Sequence, residues 1–173
     1  MYHARPGFTQ AVAALQANRV HVVPYTNGRV FDPSSPVSKP KWDKDGASRY
    51  TCNHYRGGPL TEKYEAAANF SFAVMDPASQ YWQSTVADVA RDVVFRHNVS
   101  GVYIDETASA YAQLCWHGNR SDGRVVSAGG AAWAHGNRAL LQATVEAVGP
   151  NRAVISESNA EACESYRERS SNI

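Results

Sequence analysis

Two carboxylates end two β-rich segments of the sequence, and paired carboxylates can carry out acid–base and nucleophilic chemistry. Asp105 ends the run Gly-Val-Tyr-Ile-Asp that begins at Gly101, and Glu157 ends the run Ala-Val-Ile-Ser-Glu that begins at Ala153. Neighbouring strands lie about 4.8 Å apart, close to the roughly 5–5.5 Å between the two carboxyl groups of retaining glycosidases. The alternative interpretation is that either carboxylate is a helix cap or an ion-pair partner.

The alternation of side chains along a strand predicts which groups reach a common site. Within the first of these runs Tyr103 and Asp105 share one face, while Val102, Ile104 and Glu106 share the other. The aliphatic face suits packing against helices on the outside of a sheet. We therefore expect Tyr103 and Asp105 to face the lumen of a barrel, and Glu106 to point away from it.

The elements that position these residues alternate between helix and strand. Helices are predicted over about 9–18, 76–98 and 132–148, and strands over 20–27, 101–106 and 153–157. Strands separated by helices imply a parallel sheet with right-handed crossovers, whose working residues lie at the carboxyl ends of the strands. The pattern alone leaves both an open doubly wound sheet and a (β/α)8 barrel open, and no glycine-rich dinucleotide or P-loop motif follows any of the strands.

Residues 29–75 are the irregular part of the predicted fold. Prolines and glycines interrupt the segment, which also contains the aromatic residues Trp42, Tyr50, Tyr55 and Tyr64. Loops of this length are usually functional or disordered. We consider a folded functional excursion and a surface insertion as equal alternatives.

Composition excludes several classes of protein. Seventeen Lys and Arg against sixteen Asp and Glu give a net charge of +1, which argues against a nucleic-acid-binding domain. The mean hydropathy is −0.44, and no run of about 18 apolar residues predicts a membrane span. The compartment stays unassigned, because no signal peptide is evident and the three sequons at Asn69, Asn98 and Asn119 are a weak indication of secretion.

The cysteines allow a metal-binding alternative. Cys52-Asn-His54 and Cys115-Trp-His117 form two Cys-x-His pairs that would give a Cys₂His₂ zinc site, although this spacing is not that of common structural zinc motifs. With Cys163 the chain has three cysteines, so one disulfide with a free thiol, or three free thiols, are both possible. We predict that the chain binds neither a metal nor a cofactor.

Several motifs, in order, resemble a group of TIM-barrel glycoside hydrolases. They are Gly7-Phe-Thr-Gln-Ala-Val, Val23-Pro-Tyr-Thr-Asn-Gly28, Asp76-Pro77 with Tyr81-Trp82, Gly101-Val-Tyr-Ile-Asp105-Glu, and Ser156-Glu-Ser-Asn-Ala-Glu161. The group includes α-galactosidase-type enzymes and endo-α-N-acetylgalactosaminidases. The resemblance extends over nearly the whole chain up to about residue 161.

The resemblance implies a fold and two catalytic roles. Residues 1–173 would form one partial (β/α)8 barrel domain, about strands three to five with their helices, incomplete at both ends. Asp105 matches the nucleophile on the fourth strand. Glu157 matches an acid/base on the fifth strand, as in the endo-α-N-acetylgalactosaminidase type, and Glu161 is a nearby competitor. Enzymes of the α-galactosidase type instead take the acid/base from the sixth strand, which this chain would lack.

The resemblance also implies a carbohydrate substrate and the residues that bind it. Tyr25, Asn27 and Asp32 would hydrogen-bond sugar hydroxyls, while Trp116 and His117 would stack on the sugar or orient it. The alternative function is an inactive fragment or a remnant that binds carbohydrate without turnover. Because strands would be missing on both sides of the sheet, we expect the isolated chain to be poorly soluble or to aggregate.

Overall fold

The computed structural model describes residues 4–64, 71–107, 112–116 and 131–157. The sequence-based interpretations of His117, Asn69, Asn119, Glu161 and Cys163 lie outside these residues. In chain order the elements are α1 (Phe8–Ala17), β1 (Tyr25–Asn27), β2 (Val30–Phe31), α2 (Lys39–Asp43), a 3-10 turn (Ala47–Tyr50), β3 (Thr61–Glu62), β4 (Phe72–Val74), α3 (Gln80–His97), β5 (Gly101–Asp105), α4 (Ala131–Val148) and β6 (Ala153–Ser156).

A parallel sheet of three strands, in the order β1-β5-β6, forms the centre of the fold. This arrangement confirms the predicted parallel pairing of the three segments. The first strand is shorter than predicted, because only Tyr25–Asn27 completes a ladder. The segment before it still runs beside β5, where the carbonyl groups of Val22 and Pro24 accept hydrogen bonds from Ser100 and Tyr103.

Helices α3 and α4 pack on each other and on the aliphatic face of β5. Val102 and Ile104 are fully buried there, as their strand phase predicts, and Leu140 of α4 joins the same core. Fully burying an aliphatic side chain contributes about 1.5–3 kcal/mol. This burial determines which faces of the two helices turn toward the sheet. In the described part of the chain, the opposite face of the sheet is open.

Helix α3 begins four residues later than the Asp76-Pro77 signal predicts. Asp76 is buried, and its Oδ1 accepts a hydrogen bond from the backbone N–H of Ala78 at 2.9 Å, so it caps the turn before the helix. The N-cap of the helix itself is Ser79. The predicted end is confirmed, since Asn98 adopts a left-handed conformation directly after His97.

The long segment after β1 is a folded lobe rather than an irregular loop. Strands β2, β4 and β3 form an antiparallel sheet in that order, and we call residues 29–64 and 71–75 the antiparallel lobe. These strands were not predicted, because each has only two or three residues, which is too few to show an alternating pattern. The lobe is thus part of the fold that surrounds the carboxyl ends of the parallel strands.

A disulfide joins the antiparallel lobe to the chain that follows β5. It links Cys52 and Cys115, both buried, and the backbone N–H of Trp116 donates to the Asn53 carbonyl at 3.1 Å beside it. The Cys₂His₂ zinc alternative is therefore wrong, because both of its thiols are oxidised. Among the described residues no cluster of three or more His, Cys, Asp or Glu side chains forms a candidate metal site. The described helices also include none with the length and apolar character to cross a membrane.

Candidate active site

Three polar residues line up across the carboxyl ends of the parallel strands. The register pairs Asn27 with Asp105, and pairs Ile104 with Ser156 on the next strand. Asp105 is the last residue of β5, and Glu157 directly follows the last residue of β6. Adjacent strands lie about 4.8 Å apart, and we call Asn27, Asp105 and Glu157 the row.

Each carboxylate oxygen of Asp105 accepts one hydrogen bond. The Tyr25 hydroxyl donates to Oδ2 at 2.7 Å, and the backbone N–H of Glu106 donates to Oδ1 at 2.9 Å. Partial burial and the hydrogen bond to Asp105 raise the pKa of Tyr25 to about 12. Tyr25 therefore keeps its proton and remains a donor at neutral pH.

Tyr103 lies on β5 close enough to both carboxylates of the row to be affected by their charges. Burial, followed by the negative charges of Glu157 and Asp105, raises the pKa of Tyr103 above its ordinary value. Its ring stacks on that of Tyr25 with centroids 6.0 Å apart. The structure thus confirms that Tyr103 and Asp105 share the open face of the sheet, and Ile155 is exposed on the same side.

Glu106 also turns toward this site, and the expectation that it points away is wrong. The strand ends at Asp105, and Glu106 has a φ of 59°, in the left-handed region. This turn breaks the strand alternation and directs the Glu106 carboxylate toward Asn27 and Tyr64. Its Oε2 accepts a hydrogen bond from Asn27 Nδ2 at 2.7 Å and another from the Tyr64 hydroxyl at 2.5 Å.

Asn27 is oriented by the turn that follows it. Its Oδ1 accepts hydrogen bonds from the backbone N–H groups of Arg29 and Val30, at 2.8 and 3.0 Å. The amide nitrogen must therefore point toward Glu106, and it also approaches the Tyr25 hydroxyl at 3.4 Å. Asn27 therefore connects Glu106, which it contacts directly, with Asp105, which it reaches through the Tyr25 hydroxyl.

A buried ion pair anchors the antiparallel lobe beside the row. Arg29 is 3% exposed, and its Nη2 lies 2.6 Å from Glu62 Oε1. The guanidinium also lies 5.1 Å from the ring centroid of Trp133 on α4. Glu62 is two residues before Tyr64, so this pair fixes the end of β3 from which Tyr64 reaches Glu106.

Two other residues predicted to bind substrate, Asp32 and Trp116, make contacts of a different kind. Asp32 Oδ1 accepts hydrogen bonds from the Ser34 backbone and hydroxyl, and from the Ser35 backbone, so it stabilises its own turn. Trp116 is 49% exposed next to the disulfide. Tyr25 and Asn27 reach the row itself. Their roles in sugar binding stay predictions.

Sequence reasoning missed Glu106 and Tyr64 as members of this cluster. Strand alternation placed Glu106 on the wrong face, since nothing in the sequence marks a left-handed residue there. Tyr64 lies 42 positions before Glu106 in the chain. Only the packing of the antiparallel lobe brings the two together.

Comparison with known families identifies the type of domain. Residues 3–167 match the family described as Domain of unknown function (DUF6259). The chain belongs to this family. Its relatives include "Putative glycoside hydrolase 22789" from Monosiga brevicollis, 32% identical over 166 residues, which are 89% of this chain and 13% of that protein. A "Putative glycoside hydrolase" from Bacteroides thetaiotaomicron is 27% identical over 158 residues, 91% of this chain and 22% of that protein.

Solved structures show the same fold in known enzymes. TtGalA, an alpha-galactosidase from Thermus thermophilus in complex with stachyose, matches with a TM-score of 0.60 at 10% identity, over 90% of this chain and 29% of that one. The glycoside hydrolase domain of PelA from Pseudomonas aeruginosa matches with a TM-score of 0.56 at 12% identity, over 94% and 52%. This member of the DUF6259 family is therefore a glycoside hydrolase-like domain with a mixed α/β fold, and it spans less than a quarter of each curated relative's length.

Proposed function

We propose that this domain, in its complete form, hydrolyses O-glycosidic bonds by a retaining mechanism with two carboxylates. The observation that carries the proposal is the parallel register, which pairs Ile104 with Ser156, the residues directly before Asp105 and Glu157. The expected separation of adjacent strand ends, about 4.8 Å, suits the roughly 5–5.5 Å of a retaining pair. Hydrogen bonds to both oxygens of Asp105 orient it for attack.

The chemical steps assign one role to each carboxylate. Asp105 forms a bond to the anomeric carbon while the bond from that carbon to the leaving oxygen breaks and Glu157 transfers its proton to this oxygen. Glu157, now a carboxylate, takes a proton from water, whose oxygen bonds to the anomeric carbon as the ester to Asp105 breaks. Both residues return to their starting protonation states, and the anomeric configuration is retained.

We further infer that β1, β5 and β6 are the third to fifth strands of a (β/α)8 barrel whose other strands lie outside residues 1–173. The open face of the sheet supports this inference, since Tyr25 is 63% and Ile155 43% exposed there. An acid/base on the fifth strand is the arrangement of the endo-α-N-acetylgalactosaminidase type. We therefore propose carbohydrate as the substrate, bound by Tyr25 and Asn27, and keep Asp32, Trp116 and His117 as further predicted sugar-binding residues.

The test is turnover of a panel of p-nitrophenyl glycosides by the natural protein at its full length. Asp105→Asn keeps the shape of the side chain and removes the charge needed for attack. We expect it to lose several kcal/mol of transition-state stabilisation, where about 1.4 kcal/mol corresponds to a tenfold rate change. Glu157→Gln should also be slow, and azide should partly restore its rate, because azide attacks the glycosyl-enzyme without needing a base.

The matched control is Glu146→Gln, which makes the same substitution on an exposed position of α4. It should leave turnover unchanged. Near-normal turnover of Asp105→Asn, with folding verified by circular dichroism, would contradict the assignment of the nucleophile. Binding of sugars by the unaltered protein without hydrolysis of any glycoside would instead favour a carbohydrate-binding remnant.

A further inference from the structure

We propose that Glu106 is a specificity-determining carboxylate that accepts a hydrogen bond from one hydroxyl group of the bound sugar, and that Tyr64 is a positioning residue that acts through it. The inference deepens the proposed function and rests on it. It adds two residues from outside the row of Asn27, Asp105 and Glu157. One of them comes from the antiparallel lobe, which gives that lobe a role in substrate selection.

The hydrogen bonds of Glu106 leave one of its oxygens available. Oε2 accepts from both Asn27 Nδ2 and the Tyr64 hydroxyl. Within the described part of the chain, Oε1 accepts no hydrogen bond. An ionised carboxylate has about four acceptor positions, and hydroxyl groups are the donors that a sugar presents. The Glu106 carboxylate is therefore fixed at one oxygen and open at the other.

Glu106 directly follows Asp105, the proposed nucleophile, in the chain. Its backbone N–H is one of the two donors to Asp105, so the two carboxylates belong to adjacent residues. Its left-handed conformation, with a φ of 59°, returns the side chain to the side of the sheet on which Asn27 lies. A sugar whose anomeric carbon is next to Asp105 would present a ring hydroxyl to Glu106.

Tyr64 determines where the Glu106 carboxylate is held. Its hydroxyl lies 2.5 Å from Oε2, and a hydrogen bond to an ionised acceptor is about twice as strong as one between neutral groups. Burial and the Glu106 carboxylate raise the pKa of Tyr64 well above its ordinary value, so the donor keeps its proton. The ring packs 5.3 Å from that of Phe72, and the nearby Arg29–Glu62 pair fixes the end of β3.

A specificity role and a purely structural role predict different kinetics. If Glu106 binds a particular hydroxyl, its removal should affect the substrate that has this hydroxyl and not the deoxy analogue that lacks it. If Glu106 only supports Asp105 through the fold, its removal should slow all substrates by the same factor. The comparison of substrates therefore separates the two.

The experiment measures kcat and KM for one accepted p-nitrophenyl glycoside and for its monodeoxy analogues. The unaltered protein should disfavour one deoxy analogue by at least about tenfold in kcat/KM, the effect of losing a hydrogen bond to a charged group. Glu106→Gln should abolish this discrimination while leaving the rate on that analogue within about twofold. Tyr64→Phe removes only the hydroxyl and should reduce the discrimination in part, mainly through KM.

The matched controls are Tyr55→Phe, an exposed tyrosine of the same lobe, and Glu146→Gln on α4. Both should retain full discrimination. Equal loss of activity on the parent glycoside and on every deoxy analogue in Glu106→Gln would overturn the inference. The inference would also be overturned if the unaltered protein hydrolysed all the deoxy analogues with the same kcat/KM.

A binding measurement keeps the inference separate from the proposed reaction. If no glycoside is hydrolysed, the proposed function fails, and the parent monosaccharide and its deoxy forms are compared by saturation-transfer NMR. Selective loss of binding to the parent sugar in Glu106→Gln, with retained binding in Tyr55→Phe, would support Glu106 as a specificity residue without turnover. Unchanged binding in Glu106→Gln, or an absence of sugar binding in the unaltered protein, would refute it.

Discussion

At the scale of single residues, the site is organised by hydrogen bonds among its own side chains. Asn27 joins the Tyr25–Asp105 pair to the Glu106–Tyr64 pair. Asp105, the last residue of β5, and Glu106, which follows it, thus each accept a hydrogen bond from a tyrosine hydroxyl. Charge-assisted hydrogen bonds of this kind fix orientation as well as contributing energy, which prepares Asp105 and Glu106 before any substrate arrives.

Tyr25 supplies a prediction at this scale. Its folded-state pKa of about 12 exceeds its ordinary value of 10.0, so its protonated form stabilises the folded protein below about pH 10 and this contribution is lost as the pH rises through about 12. In a titration followed by tyrosinate absorbance, Tyr25→Phe should remove one group that ionises near pH 12. Asp105→Asn should move that ionisation toward pH 10, since it removes the charge that opposes ionisation.

Tyr55→Phe is the control for this titration, because Tyr55 is exposed and does not contact Asp105 in the described structure. It should leave the ionisation near pH 12 unchanged. An unchanged high-pH phase in Tyr25→Phe would contradict the Tyr25–Asp105 hydrogen bond.

At the scale of elements, close packing explains why glycines occur where strands and helices meet. A Cβ at Gly101 would collide with the Ala153 carbonyl oxygen and lie 2.8 Å from the Ala153 Cβ, between β5 and β6. A Cβ at Gly136 would lie 2.6 Å from the Ala78 nitrogen, where α4 meets the start of α3. These contacts set the separation of the strands and helices on which the row of site residues depends.

The disulfide supplies the prediction at the scale of elements. Cys52 and Cys115 are 63 positions apart, and a cross-link over a loop of this size restricts the unfolded chain by about 4 kcal/mol in the chain-entropy account. The double variant Cys52→Ser/Cys115→Ser should lower the free energy of unfolding by roughly 2–4 kcal/mol. Urea denaturation followed by tryptophan fluorescence measures this change.

A reducing agent should lower the stability of the unaltered protein and should not change that of the double variant. Dithiothreitol should shift its denaturation midpoint toward that of the double variant and leave the variant unchanged. Two titratable thiols at positions 52 and 115 in the oxidised, unfolded protein would contradict the bridge.

At the scale of the whole molecule, the described residues cover one face of the parallel sheet with helices and leave the other face open. The side chains on the open side include Ile155 at 43% exposure and the ring of Tyr25 at 63%. The sheet also has unpaired backbone groups along β1 and β6, its two edge strands in the described structure. Such edges and faces favour association with other chains.

The molecular-scale prediction is that the isolated 173-residue chain aggregates or is poorly soluble. If the open face is responsible, Ile155→Lys should increase the soluble fraction, whereas Val145→Lys should not. Val145 is a matched control because it is 50% exposed but lies on the outer helix α4. Size-exclusion chromatography with light scattering measures the outcome. A monodisperse monomer with a cooperative melting transition would contradict the prediction.

The sequence by itself determined the features that depend on short-range periodicity. The spacing of Val86, Val93 and Val94 marked the buried face of α3, and the alternation of Val102 and Ile104 marked the buried face of β5. Helix–strand alternation similarly predicted the parallel sheet and the place of Asp105 and Glu157 at its carboxyl end. These patterns are local because each turn or pleat repeats within a few residues.

Only the tertiary structure decided the features that join distant parts of the chain. The strands of the antiparallel lobe are too short to leave a pattern, and the pairing of Cys52 with Cys115 depends on how that lobe packs. The left-handed turn at Glu106 reversed the face predicted from strand phase, and Tyr64 meets it across 42 positions of sequence. Long-range packing determines these contacts, because neither the periodicity of a strand nor the type of a single residue specifies which distant group will lie beside it.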